Sequence, residues 1–226
     1  MDVNALKREV AKKAIEYVPD GAYIGVGTGS TANMFIEELG ARVRAGEIKL
    51  QGAVASSNET ERRLREAGVP VCTLDEALSA VGKLAVYIDG ADEFDPNRCL
   101  IKGGGGALTR EKICAAASAK FVCIVDETKQ VEVLGRFPLP IEVIPMAKEL
   151  VAHYVRTHFG GEARLREGFT TDNGNVILDV HGLAIHDPLL VEDALNALPG
   201  VVTNGVFARQ RADLVLMGTA DGVVTI

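Results

Sequence analysis

Short apolar segments alternate with helical segments through the first 130 residues, and this alternation limits the fold more than any other sequence feature. The apolar segments are nearly continuous, at residues 23–26, 50–55, 69–73, 84–88 and 121–125. Continuous apolar runs are typical of strands buried on both faces of a parallel sheet, and the intervening helices supply the crossover connections. The sequence therefore predicts an α/β fold with a mainly parallel, Rossmann-like sheet and helices on both of its faces.

The pattern changes near Pro138, where a second region begins. Residues 138–145, 162–166, 176–180 and 201–208 read as strands, whereas residues 147–159 and a segment opened by Asp187-Pro188 read as helices. The resulting order, β-α-β-β-α-β, predicts a smaller ferredoxin-like α+β domain. Residues 214–217 and 223–226 are two further apolar strands, which we expect to return to the first domain. The predicted domains are residues 1–130 with 208–226, and residues 131–207.

Composition and charge argue against several classes of function. The formal net charge of −7 disfavours a nucleic-acid partner or an anionic membrane recognised through bulk charge. The four cysteines form no CxxC pair and the four histidines no HExxH, so we predict reduced structural thiols and no metal. The sequence has neither an 18-residue apolar run nor an apolar signal core at its start, so we expect a cytoplasmic protein.

A glycine-rich turn, GTGST at residues 27–31, joins the first strand to the next helix. Free N–H groups at a helix start, together with the hydroxyls of Thr28, Ser30 and Thr31, predict an anion site. Residues 27–32 also fit the GxGxxA pattern of dinucleotide-binding proteins, but the next strand ends in SSN at residues 56–58, without the acid that would hold a ribose. We therefore favour a monophosphate over a dinucleotide, and a turn without any ligand remains an alternative.

Four carboxylates stand within seven residues directly after the strand at residues 84–88. Asp89 and Asp92 flank a Gly-Ala turn, and two carboxylates that share a site can exchange protons near neutral pH. We interpret these two as functional. Glu93 and Asp95 are expected to be solvated turn residues.

A lysine, a glycine run and a glutamate follow the carboxylates. Lys102 precedes four consecutive glycines, so a cation and bare backbone N–H groups could together stabilise an oxyanion. Glu111 falls in the first turn of a helix predicted from residue 109 to about 119, where the helix dipole favours a carboxylate. A base that acts on a carbon acid would need burial to offset that dipole, and burial is not visible in the sequence.

Several motifs resemble the A type of ribose-5-phosphate isomerase, and the resemblance covers essentially the whole chain. The matching segments are DGADE, IKGGGGALTREK, GVGTGST, ASSN, DETKQV, PLPIEVIP, TDNGNVILDV and PGVVTNGVFA. The resemblance implies interconversion of D-ribose 5-phosphate and D-ribulose 5-phosphate through an enediolate, in the non-oxidative pentose phosphate pathway. It also implies that no metal or nucleotide cofactor takes part, and that the partners are a small sugar phosphate and further copies of the chain, as a homodimer or a homotetramer.

The resemblance assigns roles residue by residue. It implies that Glu111 moves the proton between C2 and C1, and that Asp89, Asp92 and Lys102 handle the hydroxyl protons, the developing charge and opening of the sugar ring. The implied substrate-binding residues are Thr28, Gly29, Ser30, Thr31, Gly90, Ala91, Gly103, Gly104, Gly105, Lys129 and Lys7. Two positions depart from the family pattern, since Asn58 stands where Asp is frequent and Gly106 where Ala is common.

Three other readings stay open at this point. A sugar-phosphate sensor domain would keep the phosphate loop but would not need Glu111 together with Lys102. A relative of acyl-CoA transferases would use a glutamate as nucleophile. A dinucleotide oxidoreductase is disfavoured by the missing ribose acid.

Overall fold

A computed structural model describes residues 2–226 and divides them into two compact units. The first unit holds the chain up to Gly90, Arg110–Thr128 and Ala212–Ile226, and the second holds Ala91–Thr109 and Lys129–Arg211. Packing thus groups residues 91–109 with the second unit, while the sequence-derived domains, 1–130 with 208–226 and 131–207, remain a prediction. None of the helices within residues 2–226 combines the length and the apolar character needed to cross a bilayer.

The helices and strands follow one another in the alternating order that the sequence predicts. The helices are α1 Val3–Ala14, α2 Ser30–Arg44, α3 Asn58–Glu66, α4 Leu74–Val81, α5 Leu108–Ala116, α6 Lys148–Phe159 and α7 Pro188–Asn196, with 3-10 turns at Ile15–Tyr17, Glu127–Lys129 and Pro145–Ala147. The strands are β1 Ala22–Val26, β2 Leu50–Ala55, β3 Val86–Asp89, β4 Glu93–Phe94, β5 Leu100–Ile101, β6 Phe121–Asp126, β7 Leu139–Val143, β8 Glu162–Leu165, β9 Val176–His181, β10 Val201–Asn204, β11 Val206–Phe207, β12 Leu214–Thr219 and β13 Gly222–Thr225.

The first unit is built on a sheet with the strand order β13-β12-β6-β3-β1-β2. Its neighbouring strands are parallel, except for the antiparallel pair β12–β13 at one edge. On one face, Ile24 and Ile88 share a buried cluster with side chains of α1, α2 and α3. On the other face, a Cβ placed at Gly25 would lie 2.9 Å from the Tyr87 ring and 3.6 Å from Cys114 of α5. Helices therefore flank both faces, and the predicted α/β fold is confirmed.

The second unit contains an antiparallel sheet with the order β10-β7-β9-β8. With α6 between β7 and β8 and α7 between β9 and β10, this order is the ferredoxin-like arrangement that the sequence predicts. A second, three-stranded sheet in the order β11-β5-β4 belongs to the same unit. The prediction that β12 and β13 return to the first sheet is also confirmed, because β12 pairs with β6.

The short elements are where the sequence prediction was wrong. Residues 69–73 form only an isolated bridge from Val71 to Ala53, because Thr73 already caps α4 in a reciprocal capping box with Glu76. The two-residue strands β4, β5 and β11 have no periodicity that a sequence pattern could reveal. β4 and β5 pair with each other, and β11, much later in the chain, supplies the second partner of β5.

Glu93 and Asp95 correct a further expectation, since both are buried rather than solvated. The Glu93 carboxylate accepts hydrogen bonds from the backbone N–H groups of Gly135, at 2.9 Å, and Phe137. Asp95 accepts from the N–H groups of Asn97 and Cys99 at 2.9 and 2.8 Å. Buried backbone donors need acceptors, so these carboxylates serve the fold of the second unit.

Candidate active site

Asp89 ends β3 at the carboxyl edge of the first unit's sheet, where open α/β sheets bind their ligands. Its side chain is fully buried, and Oδ1 accepts hydrogen bonds from the N–H groups of Thr28, at 3.0 Å, and Gly90, at 2.7 Å. The Tyr87 hydroxyl donates to Oδ2. A Cβ at Gly27 would lie 1.9 Å from the Asp89 carboxyl, so only glycine allows the GTGST turn to come this close to the carboxylate.

Tyr87 contributes to the site although the sequence analysis did not single it out. The residue lies two positions before Asp89 on the same strand, so both side chains point to the same face of the sheet. Burial, and then the negative charges of Asp89 and Glu111, raise the pKa of Tyr87 well above its ordinary value. The phenol therefore stays protonated and remains a hydrogen-bond donor to Asp89. The period-two alternation of a strand was the signal that could have identified it.

Glu111 lies in the first turn of α5 and is only 3% exposed. Its charge acts on Tyr87 and on Cys114, as the charge of Asp89 does, so the two carboxylates face one region of the first unit. Burial of a carboxylate favours its neutral form and opposes the effect of the helix dipole. The burial that a carbon base requires, which the sequence could not show, is thus present.

The buried thiol of Cys114 gives this region a measurable dependence on pH. Burial, followed by the charges of Asp89 and Glu111, raises the pKa of Cys114 to about 12 from 9.0. Between these values the unfolded chain loses the thiol proton while the native protein keeps it, so the free energy of unfolding falls as pH rises. At 1.36 kcal/mol per pH unit, this thiol alone should remove about 2 kcal/mol by pH 10.5.

Urea unfolding at pH 8 and pH 10.5 tests this expectation. The Cys114→Ala variant should lose less stability over this interval than the parent protein, by about the same 2 kcal/mol. Tyr87 adds a loss of the same sign above pH 10 in both proteins. This loss largely cancels in the comparison, because burial and the charges of Asp89 and Glu111, the larger causes of the raised Tyr87 pKa, remain in the variant. An equal loss in the parent protein and the variant would contradict the assignment.

The GTGST turn has the form of an anion site. Gly29 precedes α2 with a φ of 129°, a conformation that L side chains rarely adopt, and no side chain caps the helix start. The first turn of α2 contains no acidic residue. Lys7 of α1 extends its ammonium to the Ser30 hydroxyl at 2.9 Å, instead of pointing only to solvent. A lysine, a hydroxyl and helix N–H groups together match the chemistry that binds a phosphate.

Buried hydroxyl groups hold the GTGST turn in place through hydrogen bonds. The Thr28 hydroxyl lies 2.7 Å from Ser56 Oγ, 2.9 Å from Ser57 Oγ and 3.0 Å from Thr60 Oγ1. Thr60 in turn donates to the Gly27 carbonyl at 2.9 Å. Ser57 is also the N-cap of α3, because it accepts a hydrogen bond from the Thr60 N–H. The cluster combines residues that follow the ends of β1 and β2, so no single sequence motif contains it.

Asn58 and Gly106, the two departures from the family pattern, each have a structural partner. Asn58 Oδ1 accepts a hydrogen bond from Arg110 at 2.9 Å, within the first unit. Gly106 adopts a φ of 79°, and a Cβ there would lie 2.1 Å from the Phe169 ring. In this chain, therefore, the space that an alanine methyl would need is filled by an aromatic ring of the second unit.

The second unit carries Asp92, Lys102 and all four glycines of the run. Asp92 Oδ2 accepts the Gly104 N–H at 2.8 Å. Lys102 is 2% exposed, and its ammonium lies 5.6 Å from the centre of the Phe207 ring. A lysine so deeply buried is rare unless its charge is used or paired. Gly104 and Gly105 are exposed, so their backbone remains accessible to a ligand.

The remaining predicted site residues lie at ends of elements. Gly90 and Ala91 directly follow β3, and the Gly90 N–H is already bound to Asp89. Lys129 is the last residue of the 3-10 turn Glu127–Lys129 and is half-buried. Among the described residues, no group of three or more His, Cys, Asp or Glu side chains is arranged to hold a metal ion.

Comparison with known proteins identifies the family. The family model described as ribose 5-phosphate isomerase A (phosphoriboisomerase A) matches residues 52–222. The chain belongs to this family. Ribose-5-phosphate isomerase A of Stenotrophomonas maltophilia is 56% identical over 218 residues, which cover 96% of this chain and 98% of the relative. The relative of the same name from Acidithiobacillus ferrooxidans is 54% identical over 224 residues, covering 99% and 98%.

Solved structures of ribose 5-phosphate isomerase A have the same fold. The protein from Neisseria gonorrhoeae is 49% identical, with a TM-score of 0.93 and coverage of 99% of this chain and 96% of that one. A D-ribose-5-phosphate isomerase in complex with phospho-erythronic acid is 41% identical, with a TM-score of 0.95 and coverage of 100% and 99%. The family that the sequence motifs predicted is therefore confirmed.

Proposed function

We propose a set of four ionisable side chains, Glu111, Asp89, Asp92 and Lys102, for the reaction that this chain catalyses. The chain is an aldose–ketose isomerase that interconverts D-ribose 5-phosphate and D-ribulose 5-phosphate in the non-oxidative pentose phosphate pathway. The observation that carries the site proposal is the burial of Glu111. This carboxylate is only 3% exposed, and it lies at the start of the helix that follows the glycine run in the family-like motif IKGGGGALTREK.

Glu111 is proposed as the base that acts on carbon. The isomerisation removes a proton from C2 of the aldose and returns it to C1, so that an enediolate forms in between. A single carboxylate that moves between its charged and neutral forms can carry this proton. The burial of Glu111 in the first turn of α5 supports the role, because burial of a carboxylate favours its neutral, proton-carrying form.

Asp89, Asp92 and Lys102 are proposed to act on the oxygens. The ring form of the sugar must open first. While a proton then moves from C2 to C1, the hydroxyl at O2 must lose its proton and the oxygen O1 must gain one. Asp89 and Asp92 supply carboxylates for these transfers. Lys102, with the glycine N–H groups beside it, is proposed to stabilise the negative charge that develops on the enediolate oxygens.

The proposed phosphate handle is the start of α2, with Thr28, Gly29, Ser30 and Thr31. Support comes from the uncapped helix start and from the ammonium of Lys7 beside Ser30. A relative has been solved with phospho-erythronic acid, a phosphorylated sugar acid, which agrees with a site for this ligand class. The further proposed substrate-binding residues are Gly90, Ala91, Gly103, Gly104, Gly105 and Lys129.

The partner proposed for the chain, besides the sugar phosphate, is a further copy of itself. The family resemblance suggests a homodimer or a homotetramer, and sedimentation equilibrium of the purified protein would decide between them. We propose the cytoplasm as the compartment, and neither nucleic acid nor a membrane as a partner. The net charge of −7 supports the last two expectations.

The activity itself can be measured directly. Purified protein incubated with ribose 5-phosphate, and without added metal or nucleotide, should form the ketose, and the reverse reaction should start from ribulose 5-phosphate. Ribose without the phosphate should react at least about 100-fold less efficiently, because binding energy from a remote phosphate contributes to the rate of the chemical step. Absence of ketose formation under these conditions would contradict the assigned reaction.

A further inference from the structure

The peptide group between Gly103 and Gly104 is held from both sides within the second unit. On one side, both terminal nitrogens of Arg166 lie 3.3 Å from the Gly103 carbonyl oxygen. On the other side, the Gly104 N–H donates to Asp92 Oδ2 at 2.8 Å. In a trans peptide the carbonyl and the N–H point in opposite directions, so one planar group connects Arg166 to Asp92.

Arg166 also fixes the next peptide group. Its Nη1 lies 3.2 Å from the Gly104 carbonyl oxygen. The N–H of the same peptide group belongs to Gly105 and therefore points away from Arg166. Within the run, the Gly106 N–H also donates to the Gly103 carbonyl at 2.9 Å. Glycine has no side chain that could restrict the remaining backbone rotations, so Arg166 adds to this turn in fixing the direction of the N–H groups.

The guanidinium is itself held rigidly. Asp179 of β9 binds it with two hydrogen bonds, from Nε at 2.8 Å and from Nη2 at 2.6 Å. The Arg166 and Asp179 side chains are 18% and 21% exposed, so the pair is partly shielded from water. The Phe169 ring lies 5.3 Å from the guanidinium carbon and fills the space beside Gly106. Such a two-point pair with stacking matches the geometry that distinguishes arginine from lysine.

We propose that Arg166 is a positioning residue that acts on Asp92 through the Gly103–Gly104 peptide group. A cation on the carbonyl polarises the peptide group and strengthens the N–H as a donor. The stronger N–H donor holds the Asp92 carboxylate in one orientation and favours its charged form. The contact with the Gly104 carbonyl orients the Gly105 N–H so that it can donate to an oxygen of the substrate. This inference rests on the proposed function of Asp92, and Arg166 itself need not touch the substrate.

A purely structural role for Arg166 and a positioning role lead to different expected results. If Arg166 only stabilised the fold, its loss would lower the melting temperature and the amount of active enzyme, and the pH profile of that enzyme would not change. If Arg166 acts through Asp92, the dependence of the rate on pH must change as well. A carboxylate with a weaker donor takes up its proton at a higher pH, so the acidic limb of the profile should move upward.

The test compares Arg166→Met and Arg166→Lys with Arg164→Met as a matched control. Arg164 precedes Arg166 by two residues, and its ion pair with Glu162 is exposed. For Arg166→Met we expect kcat to fall by up to about 100-fold, with KM for ribose 5-phosphate changed by less than about threefold. The acidic limb of the kcat profile should move to higher pH. Arg166→Lys keeps the charge but loses the planar guanidinium, so its kcat and its acidic limb should lie between those of the parent protein and of Arg166→Met. Arg164→Met should have the kcat and the pH profile of the parent protein.

Each outcome bears on the inference in a defined way. Two results would overturn it in variants that keep the parent melting temperature: an unchanged kcat, or a reduced kcat with an unchanged pH profile. If Arg166→Met does not fold, the same two criteria apply to Arg166→Lys. Inactivity of the parent protein would instead overturn the proposed function, so the two failures can be told apart.

Discussion

Glu111→Gln is expected to reduce kcat by about 10³- to 10⁴-fold while the protein still binds ribose 5-phosphate. Glutamine keeps the shape of the side chain in the first turn of α5 but cannot take a proton from carbon. Two measurements separate the effects: steady-state rates of ketose formation, and calorimetric titration with ribose 5-phosphate. Exchange of the C2 proton with deuterated solvent, followed by NMR, should stop together with turnover.

A matched control is available for this variant. Glu132 is an exposed glutamate outside the proposed machinery, and Glu132→Gln should leave both kcat and proton exchange unchanged. The reading would fail if Glu111→Gln kept a rate near that of the parent protein. It would also fail if proton exchange continued in the variant while ketose formation stopped, because the base would then lie elsewhere.

The position of Asp89 could be predicted from the sequence, and the burial of Glu111 could not. Asp89 follows a continuous apolar run, and in a parallel sheet such a position falls at the carboxyl edge, where ligands bind. For Glu111, the local sequence gives only a first turn of a helix, which favours exposed carboxylates as much as functional ones. Its exposure of 3% depends on packing by residues distant in the chain.

Contacts between distant segments explain most of what the sequence reading missed. Arg166 acts on carbonyls that precede it by 62 and 63 residues, and the Thr28 hydroxyl meets residues 28 to 32 positions later. Neither arginine nor threonine has a local pattern that distinguishes such a role from that of an ordinary surface side chain. Tyr87 was different, because strand alternation already placed it on the same face as Asp89.

Glu93 and Asp95 show how a local charge cluster can mislead. Four carboxylates in seven residues suggested that two act and two are solvated. In the structure Glu93 serves N–H groups 42 and 44 residues further along the chain, and Asp95 closes its own turn. A carboxylate can be buried for the backbone as well as for catalysis, so burial alone does not mark a catalytic residue.

Lys102→Met is expected to reduce kcat by about 10²- to 10³-fold, with a smaller change in KM. Methionine keeps an apolar stem of similar length beside Phe207 but removes the cation. A charge that stabilises the enediolate contributes more to the transition state than to the bound sugar, so its loss should appear mainly in kcat. The measurement is the steady-state rate at saturating and at low ribose 5-phosphate, with the melting temperature recorded for each protein.

Lys120→Met supplies the control that separates charge from packing. Lys120 also lies over an aromatic ring, with its ammonium 4.9 Å from the centre of Tyr17, but it stands outside the proposed site. If cation–aromatic packing alone mattered, both variants would change stability in a similar way and leave kcat intact. A large fall in kcat for Lys102→Met, with Lys120→Met unchanged, would assign the effect to charge at the enediolate. A raised KM with an unchanged kcat for Lys102→Met would instead mean that the lysine binds the substrate and the transition state equally well, and this result would contradict its role at the enediolate oxygens.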